Sequence, residues 1–312
     1  MERLRAGISE QETAGNTLVV KNIRLKKEML DSGNSDHERI KTAIIFEGGG
    51  MRGAYEDGVA IALAELGMGE VFDTVVGISR GAITGAYFLS GQHEQCVPIL
   101  ELLATSEFIN RLNPVIGKKT LDMKYIDKVF RKEKPLDQDA VRRSRSQFFI
   151  GMTEARTGNG VYFDMKNPSR DIVTAICASS SVPWFTKPLT INGVEYSDAM
   201  TGCINPVDFA VEQRCTDILV VSNKPYGENN SPNILKRPFL RLVLRGYGYT
   251  SEFLKVHLPR QQPNGINIPD SVNLGILCPK EGEMPLGRLS KDIKMMKMVV
   301  DQSKTQTMRL FS

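Results

Sequence analysis

The stretch TAIIFEGGGMRGAYEDG, Thr42 to Gly58, decides how this sequence folds. Ala43 to Phe46 are continuously apolar, the pattern of a short strand buried on both faces, as in a parallel sheet. Glycines then break the run. From Ala54 to Leu66 the apolar residues Val59, Ala60, Leu63 and Leu66 recur at helical spacing. The unit repeats at once, with VFDTVVGIS (Val71–Ser79) as a second buried strand and RGAITGAYFLSG (Arg80–Gly91) as a second helix. Strand, helix, strand, helix in such close order is the signature of a parallel α/β sheet.

The loop between the first strand and helix spells G-x-G-x-x-G with Gly48, Gly50 and Gly53. In that context the spelling suggests a dinucleotide site, but backbone N–H groups at a helix start bind any anion. A dinucleotide site needs an acidic residue at the far end of the second strand. That strand ends in Gly77-Ile78-Ser79, and Asp73, at about the right count, lies at its start, on the wrong edge of the sheet. The cofactor reading therefore fails. The amides of Gly49, Gly50 and Met51 are left as candidate donors to the oxyanion of a tetrahedral intermediate, one donor being worth about 2.7–4 kcal/mol in the transition state. The plain alternative is a tight turn that needs positive φ.

Gly77-Ile78-Ser79-Arg80-Gly81 is G-x-S-x-G at a strand-to-helix junction. A serine on that sharp turn projects its hydroxyl clear of the backbone, and flanking glycines Gly77 and Gly81 avoid collision with neighbouring elements. The competing duty for Ser79 is N-capping the helix that follows. In a parallel sheet the ends of the first two strands share an edge, so Ser79 and the glycine loop share a crevice. A nucleophilic serine needs a base. Of three histidines, His37 lies in a polar arm, His93 follows a Gly-Gln turn, and His257 closes a helix; only His257 follows Ser79 in the order of an α/β-hydrolase triad.

Composition bounds the rest. With 41% hydrophobic and 24% charged residues among 312, the chain has ordinary globular composition. A net charge of +4 is too mild for a dedicated nucleic-acid binder. Five cysteines without C-x-x-C pairs exclude a disulfide framework or zinc site by pattern, and Cys96, Cys177 and Cys203 read as buried thiols. The opening residues lack the apolar core of a secretory signal, and no apolar run reaches the ~18–20 residues of a membrane span. The expected location is the cytoplasm. Residues 1–40 read as a polar, loosely packed arm and 41–312 as one domain. Further along, SQFFIGMTEARTGNGVYFDM (Ser146–Met165) and LTINGVEYS (Leu189–Ser197) read as hairpins, TDILVVSN and SVNLGILCP as late strands, Pro232–Leu258 as helical, and the end from about Leu289 as an amphipathic helix. Residues 111–145 carry eleven Lys/Arg against five Asp/Glu, either a solvated face or a basic cap over the site able to meet an anionic membrane.

Taken together, GGGMRGAY and G-I-S-R-G one βα unit later resemble the patatin-like phospholipases, serine lipid acyl hydrolases. CASSSVPWFTKPLTINGVEYSDA (Cys177–Ala199) is similar to that family's A-S-x-x-x-P-x-x-F-x-P segment leading to its catalytic aspartate. LCPKEGEMPLGRLSKD (Leu277–Asp292) resembles a bacterial branch. The resemblance runs from about Lys41 to the end. It implies a three-layer α/β/α fold with a mainly parallel central sheet, and a Ser–Asp dyad without histidine: Ser79 as nucleophile, Asp198 as base, and Gly48, Gly49, Gly50, Met51 and Arg52 as the oxyanion loop, Arg52 bracing it or adding charge. It implies no metal or organic cofactor and a phospholipid or other fatty-acyl ester as substrate; peripheral contact with an anionic membrane is a reading of the basic stretch alone. Met51, Trp184 and Phe185 are the expected acyl-pocket residues, with core packing as their plain alternative.

One departure stands out. The family writes D-G-G or D-G-A where this chain has Asp198-Ala199-Met200. If that glycine takes a positive φ, alanine costs about 1 kcal/mol or more, and either Asp198 is displaced or the local backbone differs; the plain alternative for Asp198 is capping a turn. A catalytically inert lipid-binding protein on the same fold, and a Ser-His-Asp esterase using His257, are the two rival readings.

Overall fold

The computed structural model describes residues 14–110, 119–183, 185–199, 204–225 and 268–312. Eight strands form one sheet: β1 (Thr42–Phe46), β2 (Thr74–Ile78), β3 (Gln147–Glu154), β4 (Gly160–Asp164), β5 (Leu189–Ile191), β6 (Val194–Ser197), β7 (Asp217–Val221) and β8 (Asn273–Leu277). Their order is β5-β6-β3-β2-β1-β7-β8, with β4 beside β3. The run β3, β2, β1, β7, β8 is parallel throughout, and β4, β5 and β6 join antiparallel. The expected mainly parallel α/β/α architecture is what forms.

Alternation along the strands divides the core. Ile44, Phe46, Val75, Leu219 and Val221 face a large cluster shared with helices α1 (Ala14–Asp31), α2 (Ala54–Glu65), α3 (Arg80–Leu89), α4 (Cys96–Leu103) and others. Later in the chain come α5 (Met123–Lys128), α6 (Gln138–Arg143), α7 (Ile172–Ser179), α8 (Pro206–Glu212) and α9 (Ile293–Phe311). Ala43, Ile45, Val76, Ile218 and Val220 face the other way, onto Val207 and Ala210 of α8. All five residues of β1, β2 and β7 are buried, which is why these strands read as continuous apolar runs. Asn205 caps α8 through the amides of Val207 and Asp208, with Pro206 at its first turn. The β5–β6 hairpin turns on Asn192 and Gly193, both at positive φ (49° and 80°), as Asn-Gly dictates.

Residues 14–31 differ from the expected loose arm. They form α1, whose Val19, Ile23 and Lys26 are fully buried. The apolar positions are few, but Lys26 reaches Asp73 and Thr42 at the start of β1 and β2, and Asn22 donates to Asp217 at the start of β7 (2.7 Å). Polar ties to the N-terminal edge of the sheet hold a helix whose mixed composition reads as an arm. Asp73 is thereby occupied on the edge opposite Ser79. The helical reading of Pro232–Leu258, and Cys203, lie outside the described residues; Cys96 and Cys177 are buried.

Candidate active site

Ser79 sits on the turn from β2 into α3 with φ 56° and ψ −124°, a conformation L-residues rarely adopt and which costs on the order of 1–3 kcal/mol. Tertiary contacts hold it there. Its amide donates to Ser179 Oγ (2.8 Å), and that hydroxyl donates to the Gly151 carbonyl of β3 (2.7 Å). The flanking glycines are required by close approach: a Cβ on Gly81 would lie 2.2 Å from the Phe46 carbonyl oxygen, and one on Gly77 2.6 Å from Ala82 Cα. Ser79's side chain makes no capping hydrogen bond to α3, so the capping alternative does not describe it.

The loop after β1 carries three successive positive φ values, 77° at Gly48, 151° at Gly49 and 62° at Gly50. Its amides are not equivalent. Gly48 N–H donates to Glu56 Oε1 (2.7 Å) and Met51 N–H to the Arg288 carbonyl (3.0 Å). The donor expected at Met51 is therefore already committed, as is that of Gly48. The amides of Gly49 and Gly50 donate to no backbone or side-chain acceptor among the described residues. Arg52 Nε donates to the Leu286 carbonyl (2.8 Å), so its guanidinium braces the loop against the segment before α9.

Asp198 reaches this edge through a feature of sheet pairing. Thr153 of β3 pairs with Gly160 of β4 on one side and with Ser197 of β6 on the other. The second side is the one β2 occupies as far as Ile78, opposite Gly151. Where β2 turns away at Ser79, β6 takes its place, and the next residue is Asp198. Its amide donates to the Ser181 carbonyl (3.0 Å), and the residue is 1% exposed. Ala199 is not among the described non-glycine residues at positive φ, which are Ser79, Asn192 and Arg214. The backbone penalty expected from alanine after the aspartate does not arise.

Ser79, Asp198 and Gly48–Arg52 line one cavity of about 320 Å³. Its other lining residues are largely apolar, among them Ile83, Leu103, Ile109, Leu121, Ile126 and Phe185, with Lys224 and Arg288 among the polar ones. Met51 and Phe185 are among its lining residues, and Trp184 lies outside the described residues. Leu121 and Ile126, from the basic 111–145 stretch, are among the lining residues, while residues 111–118 are outside the described residues. Several of that stretch's cations are paired, Arg131 with Asp127 and Asp171 and Lys128 with Glu133. No histidine among the described residues lines the cavity, and His257 lies outside them.

Sequence reasoning missed two buried layers behind the loop. Arg80, 3% exposed, pairs with fully buried Asp57, which also accepts from Thr84 Oγ1 (2.7 Å). Burial pushes the Asp57 carboxyl up, and Arg80 and Thr84 pull it back. Glu56 is fully buried, and burial pushes its carboxyl well above the ordinary range; Asp57 and Glu47 add to this, and the Gly48 amide and Arg80 oppose it. Adjacent acids inside an otherwise apolar helix were the available signal, since a buried charge demands a partner. Asn223, just beyond β7 on the same edge as Ser79, was findable from strand order.

The family model for patatin-like phospholipases matches residues 44–211, more than half of the chain and inclusive of the glycine loop, Ser79 and Asp198. The uncharacterized protein YjjU of Escherichia coli (strain K12) is 24% identical over 203 residues, 63% of this chain and 56% of that protein. Among solved structures, VipD from Legionella pneumophila matches at a TM-score of 0.44 and 13% identity over 87% of this chain and 66% of that one. ExoU in its complex with SpcU, from the type III secretion system of Pseudomonas aeruginosa, matches at a TM-score of 0.31 and 18% identity over 70% of this chain and 52% of that one. The chain thus spans between half and two thirds of the length of these relatives. With its family match enclosing both sequence motifs and the aspartate beyond them, the chain belongs to the patatin-like phospholipase family.

Proposed function

We propose that this chain is a lipid acyl hydrolase that cleaves phospholipid or other fatty-acyl esters through an acyl-enzyme on Ser79. The observation that carries the reading is the meeting, on one largely apolar cavity, of a strained serine, a buried aspartate and two glycine amides without acceptors among the described residues. Ser79 Oγ attacks the ester carbonyl carbon and its proton passes to Asp198. The resulting oxyanion takes the Gly49 and Gly50 N–H groups, which have no acceptor among the described residues, so their stabilisation falls on the transition state. The tetrahedral intermediate collapses, the C–O bond to the alcohol breaks, and Asp198 returns the proton to the leaving oxygen. Water, deprotonated by Asp198, then attacks the acyl carbon; the bond to Ser79 Oγ breaks, Asp198 returns the proton to that oxygen, and the fatty acid is released. The apolar walls hold the acyl chain out of water.

Fluorophosphonate labelling and short-chain ester hydrolysis, run on wild type, Ser79→Ala and Asp198→Asn, test this. Wild type should label and turn over, Ser79→Ala should do neither, and Asp198→Asn should lose turnover. Hydrolysis that survives Ser79→Ala rejects the site. A wild type that neither labels nor turns over leaves the inert lipid-binding protein as the better reading. Loss on His257→Ala with retention on Asp198→Asn moves the base to histidine.

A further inference from the structure

We infer that Asn223 and Glu56 form a buried pair of positioning residues that sets the direction of the Gly49 N–H. The inference rests on the hydrolase reading above, in which that N–H meets the oxyanion. Asn223 is 1% exposed and Glu56 fully buried. Asn223 Nδ2 spends one proton on the Gly48 carbonyl oxygen (2.6 Å) and the other on Glu56 Oε1 (3.0 Å), while Glu56 Oε1 also accepts the Gly48 N–H (2.7 Å). Both polar groups of Gly48 are thus held from behind by two side chains bonded to each other.

The consequence follows from peptide geometry. The Gly48 carbonyl and the Gly49 N–H belong to one planar trans unit, so they point in opposite directions. Drawing the carbonyl onto Asn223 turns the Gly49 N–H away from Asn223. Glycine at φ 77° and 151° resists rotation of that plane poorly, because it populates both hands of φ with little penalty. Something outside the loop must fix the plane, and Asn223 is the group bonded to it. Glu56 in turn fixes the amide of Asn223. Oε1 thus accepts from both the Gly48 amide and Asn223 Nδ2. Oε2 and Asn223 Oδ1 are both buried without a hydrogen-bond partner among the described residues. Among the described residues nothing else competes for the orientation of either side chain.

The test compares wild type with Asn223→Ala, Asn223→Leu, Glu56→Leu and Glu56→Gln, with Ser79→Ala as blank. Turnover of a short-chain ester is normalised to sites titrated by fluorophosphonate, so misfolded protein does not count. Asn223→Ala should lose at least about tenfold in kcat per labelled site, short of the ~10²–10³ of deleting a donor outright, with KM shifted less than about threefold. Glu56→Leu should show the same split, and Glu56→Gln, which keeps an acceptor in the place of Oε1, should recover most of its loss. Where Asn223→Ala is too unstable to purify, Asn223→Leu removes the donor at similar volume and is read the same way. A kcat per labelled site within about threefold of wild type in the Asn223 variant overturns the inference while leaving the hydrolase reading intact. A wild type with no Ser79-dependent turnover removes the hydrolase reading first, and this one with it.

Discussion

Gly48→Ala should damage both stability and turnover, and a second glycine in the same chain separates the causes. Gly48 has φ +77°, and a Cβ there would stand 2.1 Å from the Ile78 carbonyl oxygen and 3.0 Å from Ser79 Cβ. Gly193, in the β5–β6 turn, has φ +80° with nothing within 4 Å of the same position. Alanine at either site bears the left-handed strain of about 1–2 kcal/mol. At Gly48 it adds an overlap with rigid backbone, typically worth about 1–3 kcal/mol more, for a total of roughly 2–5. Relief requires opening the Cβ–oxygen distance from 2.1 Å to at least 3.0 Å, so either the glycine loop or the serine elbow moves by close to 1 Å. A shift of that size at reacting groups costs about 10²-fold in rate.

Equilibrium urea unfolding and short-chain ester kinetics on both variants read these terms separately. Gly193→Ala should lose about 1–2 kcal/mol of stability and keep its kcat, whereas Gly48→Ala should lose more stability and about a hundredfold in kcat. A Gly48→Ala protein no less stable and no slower than Gly193→Ala refutes the claim that close packing of loop on elbow, rather than the φ value, makes glycine necessary there.

Two further outcomes follow from the buried acids. Asp57→Ala leaves the Arg80 guanidinium charged and buried without its carboxylate, and should cost about 3–5 kcal/mol in urea unfolding; Asp57→Leu combined with Arg80→Met should recover much of it, because breaking such a pair costs more than replacing it. Equal destabilisation by the single and double changes counts against a true ion pair. Glu56 sets a pH dependence: its carboxyl is raised in the folded state by burial, with Asp57 and Glu47 adding and Arg80 and the Gly48 amide opposing. The folded protein therefore holds a proton that the unfolded chain releases near the ordinary value of about 4.3. The stability contributed by this proton is full below that value and is lost as pH rises toward the folded pKa. Glu56→Gln should flatten the decline of unfolding free energy above about pH 4.3 relative to wild type. Parallel profiles for the two proteins would show that Glu56 is ionised in the fold.

The parts of this molecule legible in sequence are those where local chemistry and tertiary structure demand the same residues. β1, β2 and β7 are buried on both faces, so their apolar runs needed no partner to be recognised. Asn192-Gly193 names its own turn, and Gly77 and Gly81 mark the elbow because no side chain fits there. What stayed hidden depends on distant segments. Helix α1 reads as an arm because its anchors, Lys26 and Asn22, are polar, and their partners Asp73 and Asp217 lie at strand starts far along the chain. The commitment of the Met51 amide is invisible without Arg288, more than two hundred residues later.

The position of Asp198 shows where that limit lies. Its identity came from a motif, but its place beside Ser79 comes from β2 ending at Ile78 while β3 continues for three residues to Glu154 beyond the Gly151 pairing. The unpaired end of β3 needs a hydrogen-bonding neighbour, since an exposed ladder inside a covered sheet is costly. An antiparallel strand arriving from the opposite direction supplies it, and its exit carries the aspartate to the edge where the serine leaves. The doubt raised by Ala199 was framed as a matter of one backbone angle. The structure moves it to pairing: Ala199 is free of positive φ because the chain reaches Asp198 from an extended strand whose register is set by Ser197 and Thr153. Changes that weaken this β3–β6 pairing therefore threaten the aspartate more than the alanine that follows it does.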